Sequence, residues 1–318
     1  MEPLFLEPFF QEKIWGGKRL ATEFGYHIPS DKTGECWAIS AHPHGESTVK
    51  NGPLKGEKLS EVWHTHPELF GNSKEQEFPL LTKILDAEDD LSVQVHPDDN
   101  YAEKHEHSLG KTECWYIIDA DLGAEIVYGH KAQTKEEFEH LVEKGDWDDL
   151  LRRVPVHKGD FFYVPSGMVH AIGKGIMILE TQQSSDTTYR VYDYDRKDDL
   201  GNKRTLHLKQ SLDVINIPQK EVPLSISQKI VKRSSITTFV ETPFFNVYKW
   251  AVDGQLHLRA TAPYTLVSVI EGAGSLSFGG KIYEVVKGDH FILPAGESEW
   301  YLSGKLEAIA STPGSENR

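Results

Sequence analysis

Cysteine is scarce in this chain, since its 318 residues include only Cys36 and Cys114. Two cysteines are too few for the disulfide framework that holds small secreted domains together. Basic residues are also in the minority, because 34 Lys and Arg stand against 49 Asp and Glu and give a formal net charge of −15. Nucleic acids and anionic membranes bind basic surfaces, so we expect neither as a partner.

Long apolar runs are missing as well. No stretch approaches the roughly 18–20 apolar residues that a membrane-spanning helix needs. The first residues, Met-Glu-Pro-Leu, lack the basic and apolar regions of a secretory signal. Together with the shortage of cysteine, these absences predict a soluble, cytoplasmic protein.

The patterns that are present are mostly short β-rich runs separated by turns, in a chain with 26 Gly and 16 Pro. A single hydrophobic core rarely grows beyond roughly 250–300 residues, so the length indicates two domains. Pro218 and Pro223 interrupt any regular element near residue 220. We therefore predict an N-terminal domain over residues 1–220, a C-terminal β domain over residues 221–318, and a frayed polar tail at residues 312–318.

Helical patterns are few. Thr134 begins a capping-box sequence, and apolar residues follow it at helical spacing. Residues 146–153 predict a second short helix after the first.

An internal repeat predicts the architecture. Residues 159–167 read Gly-Asp-Phe-Phe-Tyr-Val-Pro-Ser-Gly, and residues 288–296 read Gly-Asp-His-Phe-Ile-Leu-Pro-Ala-Gly. A strand that starts at a Gly-Asp turn and stops at Pro-x-Gly is a reusable unit of β-barrels, so two copies predict two barrels of one kind. His170 follows the first copy, whereas Glu299 holds the matching position after the second. We therefore expect a metal in the first barrel only.

Four polar residues around the first copy form a candidate metal site. Residues 91–96 alternate with period two, which places Gln94 and His96 on the same face of a strand. Glu113 begins the next clear strand, and His170 follows the Pro-Ser-Gly turn. Two imidazoles and a carboxylate suit Zn²⁺ or a similar divalent ion with room for water or substrate. Gln94 is either a further ligand or a residue that orients one.

The motifs resemble those of a known family. The sequence Gly-x5-Pro-x-Gly-x2-His that ends at His170 is similar to a motif of cupins, which are small β-barrels that hold a metal. Residues 78–85 (Phe-Pro-Leu-Leu-Thr-Lys-Ile-Leu) and 91–98 (Leu-Ser-Val-Gln-Val-His-Pro-Asp) resemble the signature of type I mannose-6-phosphate isomerases. Trp-Gly-Gly at residues 15–17, Lys-Thr-Glu at 111–113 and the Ser-Asp-Thr-Thr-Tyr-Arg segment at 185–190 support the resemblance.

The resemblance implies a mainly β fold of two cupin-type (jelly-roll) barrels. The N-terminal domain would be the catalytic, metal-binding one, and the C-terminal domain a degenerate cupin-like one. The length is similar to that of the short bacterial form, in which residues 131–153 would be the remnant of a helical insertion. The expected oligomeric state is a monomer or a homodimer.

The resemblance also implies an activity and a site. It predicts an enzyme that interconverts mannose 6-phosphate and fructose 6-phosphate, with one Zn²⁺ per chain. The implied zinc ligands are Gln94, His96, Glu113 and His170, and the implied catalytic residues are Arg190, Lys111 and Asp186. The chain departs from longer members at Gly110, where those often carry a histidine before the Lys-x-Glu sequence.

Moving a carbonyl between C1 and C2 through an enediol(ate) requires a general base near both carbons and positive charge near the developing oxyanion. Asp186 and Lys111 are the base candidates that the motifs offer, and Glu180 and Glu35 have less support. Arg190 would stabilise the enediolate, or alternatively bind the phosphate.

The substrate should contact further polar groups, for which Lys83, Ser185 and Glu35 are the candidates. Lys83 and Arg190 can provide the cations that a phosphate requires. Ser185 can donate a hydrogen bond, although a serine before an aspartate is also ordinary turn chemistry.

Two other functions fit parts of the pattern. Two histidines and a carboxylate also describe the Fe(II) site of a cupin dioxygenase. A metal-containing cupin that binds phosphosugars without turnover would explain the metal as well. Gln94 and the cations Lys83 and Arg190 favour an anionic sugar over the dioxygenase.

Overall fold

The structure is a computed structural model that describes residues 1–316. Strands dominate it, as the sequence predicts, and the helices are short. Within these residues the strands are β1 (Leu4–Glu7), β2 (Phe9–Gly17), β3 (Thr33–Ile39), β4 (Thr48–Val49), β5 (Leu80–Ala87), β6 (Val93–Val95), β7 (Glu113–Ala120), β8 (Glu125–His130), β9 (Leu151–Pro155), β10 (Phe161–Val164), β11 (His170–Ile172), β12 (Ile176–Gln183), β13 (Tyr189–Tyr192), β14 (Ser227–Val231), β15 (Ser234–Glu241), β16 (Phe245–Arg259), β17 (Thr265–Phe278), β18 (Lys281–Val286), β19 (His290–Leu293) and β20 (Glu299–Pro313).

The helices of the same region are α1 (Arg19–Phe24), α2 (Leu59–Thr65), α3 (Asp99–Glu106), α4 (Lys135–Lys144), α5 (Trp147–Leu150) and α6 (Leu208–Val214), together with a 3-10 helix at Pro67–Phe70. Thr134 caps α4, because its side chain accepts a hydrogen bond from the Glu137 N–H, as the capping-box sequence predicts. None of the helices described is long and apolar enough to cross a membrane.

Two sheets of the N-terminal half share a core. Their strand orders are β10-β7-β12-β5-β2-β3 and β13-β6-β11-β8-β9. Leu85 and Trp115 of the first sheet pack in one cluster with Ile126 and Ile172 of the second. Because successive side chains of a strand point to opposite faces, Cys114 beside Trp115 lies in the cluster on the other side of the first sheet.

The third sheet joins both ends of the chain. Its strand order is β14-β15-β16-β20-β17-β19-β1-β4, with β18 paired to β17. β1 enters this sheet from the start of the chain, where Leu4 pairs with Ile292 of β19. Between α6 and β14, where the linker is predicted, the chain forms no helix or strand. The division at residue 220 stays a prediction, while the pairing of β1 ties the two halves together.

Both copies of the repeat form the same local structure. Each contains a four-residue strand, β10 in the first copy and β19 in the second. The glycines that bound the copies have positive φ in both: 95° at Gly159 and 94° at Gly288, then 80° at Gly167 and 109° at Gly296. Residues with a Cβ rarely adopt these angles, which explains why glycine recurs at both ends of the motif.

Two local predictions are wrong. The helix predicted for residues 146–153 ends at Leu150, and the chain continues as β9, which pairs with β8. Sheet pairing with a distant segment thus overrides the local helical pattern. The tail predicted at residues 312–318 is not frayed at its start, because Thr312 is buried in β20 and its hydroxyl accepts a hydrogen bond from the Asn246 amide. Residues 317 and 318 lie outside the described part of the chain.

A buried histidine links the two halves. The Nε2 atom of His290 lies 2.7 Å from the Tyr26 hydroxyl, and its Nδ1 atom lies 2.8 Å from the Ser268 hydroxyl. Tyr26 also donates to the Gly288 carbonyl at 2.9 Å. Burial, aided by the charge of Lys50, lowers the pKa of His290 to about 3, so the imidazole stays neutral in the folded protein.

This histidine should make the protein less stable in mild acid. An unfolded histidine binds its proton near pH 6.5, whereas folded His290 does so only near pH 3, so stability falls as the pH drops below 6.5. Between pH 7 and pH 5 the loss should be about 2 kcal/mol of unfolding free energy. The variant His290→Gln should lose correspondingly less over this range, as measured by denaturant unfolding at both pH values. An identical pH dependence for both proteins would contradict the assignment.

Candidate metal centre and active-site cavity

Three of the predicted metal ligands converge inside the N-terminal half. His96 follows β6, Glu113 begins β7, and His170 begins β11. One ligand atom from each residue lies within 4.8 Å of the other two. All three residues are almost completely buried, which places the group in the interior between the two sheets.

The atoms that His96, Glu113 and His170 direct at one another are all electron-pair donors. The Nε2 atoms of His96 and His170 each lie 3.3 Å from an oxygen of Glu113. The other ring nitrogen of each histidine faces a main-chain carbonyl, that of Thr187 at 2.9 Å and that of Met168 at 2.8 Å. A neutral imidazole that donates its Nδ1–H to a carbonyl presents a lone pair at Nε2. Two lone pairs and a carboxylate therefore face one another.

Protonation of the histidines or of the carboxylate does not remove the repulsion between these donor atoms. Burial, followed by the charge of Lys111, lowers the pKa of His96 to about 3, and burial also lowers the pKa of His170. The pKa of Glu113 lies well below its usual value, because its neighbours, the charge of Lys111 first among them, outweigh its burial. The Nε2 of His96 and Oε2 of Glu113 are buried without a hydrogen-bond partner in the described structure. The donor set therefore fits a divalent cation of the zinc type, with its histidines oriented by backbone carbonyls.

Gln94 lies beside the three ligands. It belongs to β6, its pairing partner in β11 is His170, and it lines the same cavity. Its side-chain N–H donates to the Ser92 carbonyl at 3.4 Å, which leaves the amide oxygen as the atom suited to a cation. The role of Gln94 as a ligand stays a prediction.

A cavity of about 250 Å³ opens onto the metal ligands. Five of the six residues predicted for catalysis or substrate binding line it, namely Glu35, Lys83, Lys111, Asp186 and Arg190. Ser185 is fully buried and is not among the lining residues; its hydroxyl accepts a hydrogen bond from the Thr187 N–H at 3.3 Å. Further lining residues, which the sequence does not indicate as site residues, include Lys13, Trp15, Ser92, Thr188, Arg204 and His207.

Two buried lysines supply positive charge. Lys111 Nζ lies 3.4 Å from Glu113 Oε2, and the pKa of Lys111 is raised because nearby carboxylates, Glu113 first, outweigh the effect of burial. Lys83 Nζ lies 3.8 Å from Glu35 Oε2 and 4.4 Å from the centre of the Trp37 ring. Burial raises the pKa of Glu35, but the charges of Lys83 and Lys13 reverse the effect, so this carboxyl is ionised.

Two further carboxylates differ in their environment. Burial and the charge of Glu113 raise the pKa of Glu180 to about 8. The pKa of Asp186 is lowered, because the charge of Lys83 and a 3.0 Å contact with His44 Nδ1 outweigh its burial. Asp186 is therefore a carboxylate at neutral pH, available to accept a proton.

The arginines of the cavity differ in their partners. Arg204 donates two hydrogen bonds to Asp193, at 2.8 and 2.6 Å. Arg190 makes no ion pair within residues 1–316; its guanidinium donates at 3.5 Å to the Thr205 carbonyl. Burial and then the charge of Arg204 lower the pKa of Arg190. An anion bound beside Arg190 would favour its charged form and so offset both effects.

Two family models and several curated relatives match the chain. Residues 4–126 match the family described as "Phosphomannose isomerase type I, catalytic domain", and residues 235–313 match "Mannose-6-phosphate isomerase, cupin domain". The chain is 60% identical to a mannose-6-phosphate isomerase from Streptococcus mutans over 98% of both chains. It is 56% identical to a mannose-6-phosphate isomerase from Bacillus subtilis, again over 98% of both.

Solved structures give the same result. The crystal structure of the mannose 6-phosphate isomerase from Bacillus subtilis superposes with a TM-score of 0.96 at 50% identity, over 98% of this chain and all of that one. A zinc-bound mannose 6-phosphate isomerase shares the fold, with a TM-score of 0.80 at 14% identity over 99% of this chain and 100% of that one. The predicted cupin-type β fold is thereby confirmed, and the chain belongs to the type I phosphomannose isomerase family.

Proposed function

We propose that this protein is a zinc-dependent isomerase that interconverts mannose 6-phosphate and fructose 6-phosphate through an enediol(ate). The observation that carries the proposal is the group of His96, Glu113 and His170, which faces a cavity lined by Lys83, Lys111 and Arg190. An anionic sugar fits the cations, and a carbonyl–hydroxyl pair fits a site built for a divalent ion.

The zinc would be held by His96, Glu113 and His170, with Gln94 as the fourth protein ligand. When bound, it supplies Lewis-acid stabilisation of the negative charge that develops on the sugar oxygens. The relatives are named as isomerases of mannose 6-phosphate and match nearly the whole chain, which supports mannose 6-phosphate as the substrate.

Asp186 is the proposed base. As an ionised carboxylate in the cavity, it takes the proton from C2 of open-chain mannose 6-phosphate and returns it to C1. The O2 hydroxyl loses its proton as the C2 carbonyl forms, and the O1 oxygen gains one. Lys111 donates a hydrogen bond to the oxygen that becomes negative, and Arg190 stabilises the enediolate by charge.

The overall charge of −15 makes local cations necessary for this substrate. The field of the whole protein opposes a phosphosugar weakly, since screening at physiological ionic strength limits it to about 8 Å. Lys83, Lys111 and Arg190 must therefore attract the substrate from inside the cavity.

A coupled assay tests the proposal. The zinc-loaded protein should form fructose 6-phosphate from mannose 6-phosphate, a chelator should abolish the activity, and added Zn²⁺ should restore it. Zinc-loaded protein that binds mannose 6-phosphate without forming product would instead be the non-catalytic cupin. Oxygen consumption that requires Fe(II), with no isomerisation, would indicate the dioxygenase.

A further inference from the structure

A second cavity lies in the C-terminal half, away from the proposed metal. Its volume is about 690 Å³, and it is lined by residues of β14, β15, β16, β17 and β20. This volume falls within the roughly 300–1,000 Å³ of cavities that bind small molecules.

The position of this cavity follows from the internal repeat. In each copy the strand after the Pro-x-Gly turn lines a cavity: β11 contributes His170 to the first, and β20 contributes Trp300 to the second. The second copy thus has Glu299 in place of the histidine, and the strand that follows its turn also borders a cavity.

Aromatic side chains form one part of the second cavity. Trp250 and Trp300 are both almost completely buried, their ring centres are 6.3 Å apart, and Tyr248 lines the cavity with them. The indole N–H of Trp300 has no hydrogen-bond partner within residues 1–316, although it is buried. A buried donor without an acceptor is unfavourable, and a ligand oxygen would satisfy it.

Basic side chains form another part. Lys229, His257 and Arg259 line the cavity, and no Asp or Glu of residues 1–316 does. Glu299 is an acid beside this part: its carboxylate lies 2.9 Å from His257 Nε2, and its position in β20 pairs with that of Arg259 in β16. Lys229 and Arg259 have no ion-pair partner among the residues described, so they give the cavity positive charge in a protein whose overall charge is −15.

We infer that this cavity is a second, non-catalytic binding site for a phosphorylated monosaccharide. The aromatic faces of Trp250 and Trp300 suit the C–H faces of a sugar ring, and the hydroxyls of Thr261 and Thr265 suit its hydroxyls. Lys229 and Arg259, which are both exposed, suit the phosphate. The site goes beyond the proposed isomerase, because it needs neither the metal nor the catalytic residues.

Equilibrium dialysis of the zinc-loaded protein tests this inference. The probe is a pre-equilibrated mixture of mannose 6-phosphate and fructose 6-phosphate, and the readout is the amount of phosphosugar bound per chain. The wild type should bind two, and the double variant Lys229→Ala with Arg259→Ala should bind one. Both substitutions are at exposed positions, so the fold should be preserved.

A matched control and a separate activity measurement complete the experiment. Lys281→Ala with Lys305→Ala removes two exposed positive charges of the same half outside the cavity, and it should still bind two phosphosugars. Isomerase activity should be unchanged in both double variants, so a failed isomerase proposal is recognised independently by absent turnover in the wild type. Equal binding by the wild type and the Lys229/Arg259 variant would overturn the inference.

Two further measurements distinguish recognition of the sugar ring from recognition of the phosphate alone. Inorganic phosphate at the same concentration should displace much less than one phosphosugar per chain, and Trp300→Phe should weaken the second binding event severalfold. If inorganic phosphate displaces the second phosphosugar completely, the site recognises an anion alone and the proposed ligand class is wrong.

Discussion

Replacing His170 with Ala should remove the zinc and abolish the isomerase activity. His170 offers a neutral Nε2 lone pair 3.3 Å from Glu113, and its Nδ1 is fixed by the Met168 carbonyl. Without it, the proposed site keeps one histidine, a carboxylate and the amide of Gln94, a set that holds zinc weakly. We expect the zinc content to fall from one per chain to near zero and kcat to fall on the order of a thousandfold or more. Elemental analysis and the coupled assay measure the two effects.

His130→Ala is the matched control for this experiment. His130 is as buried as His170, and like His170 it has one ring nitrogen beside a main-chain carbonyl: its Nε2 lies 2.9 Å from the Asn216 carbonyl. It does not line the cavity of the metal ligands. The control should lose about 1–3 kcal/mol of stability yet keep its zinc. Loss of zinc from both variants would mean that the site responds to general destabilisation, and retention of zinc by His170→Ala would exclude His170 as a ligand.

The metal group is the part of the molecule that the sequence predicts best. The two-residue period of a strand places Gln94 and His96 on one face, and the repeated turn fixes the start of the strand that carries His170. These short-range rules place each side chain on its own element, whereas the family resemblance implies that the ligands meet. In the structure, ligand atoms of His96, Glu113 and His170 lie within 4.8 Å of one another.

The sequence does not predict the contacts between distant segments. His44 reaches Asp186 across 142 positions of the chain, and the sequence shows no pattern that would pair them. Arg204 and His207 line the cavity from the irregular segment after β13, where neither the helical nor the strand repeat of apolar residues applies. The pairing of β1 with β19 is not predicted either, because the register of strands far apart in sequence depends on packing that a single sequence does not reveal.

Replacing Arg190 with Ala should separate catalysis from metal binding. Arg190 lines the cavity and has no ion-pair partner within residues 1–316, so its charge is available to the substrate. Removing one preorganised donor to a developing oxyanion typically costs about 10²–10³ in kcat. We expect a loss of this size with the zinc content unchanged at one per chain, measured by the coupled assay and elemental analysis.

Arg196→Ala is the control for Arg190, because it removes an arginine from the same region without opening the cavity wall. Arg196 donates to Asp193 at 2.6 Å and is not among the residues that line the cavity. This control should lose stability but retain kcat within a few-fold. The separate values of kcat and KM then decide the role of Arg190: a lower kcat at constant KM supports enediolate stabilisation, whereas a higher KM at constant kcat assigns Arg190 to the phosphate. Unchanged values of both would remove Arg190 from the mechanism.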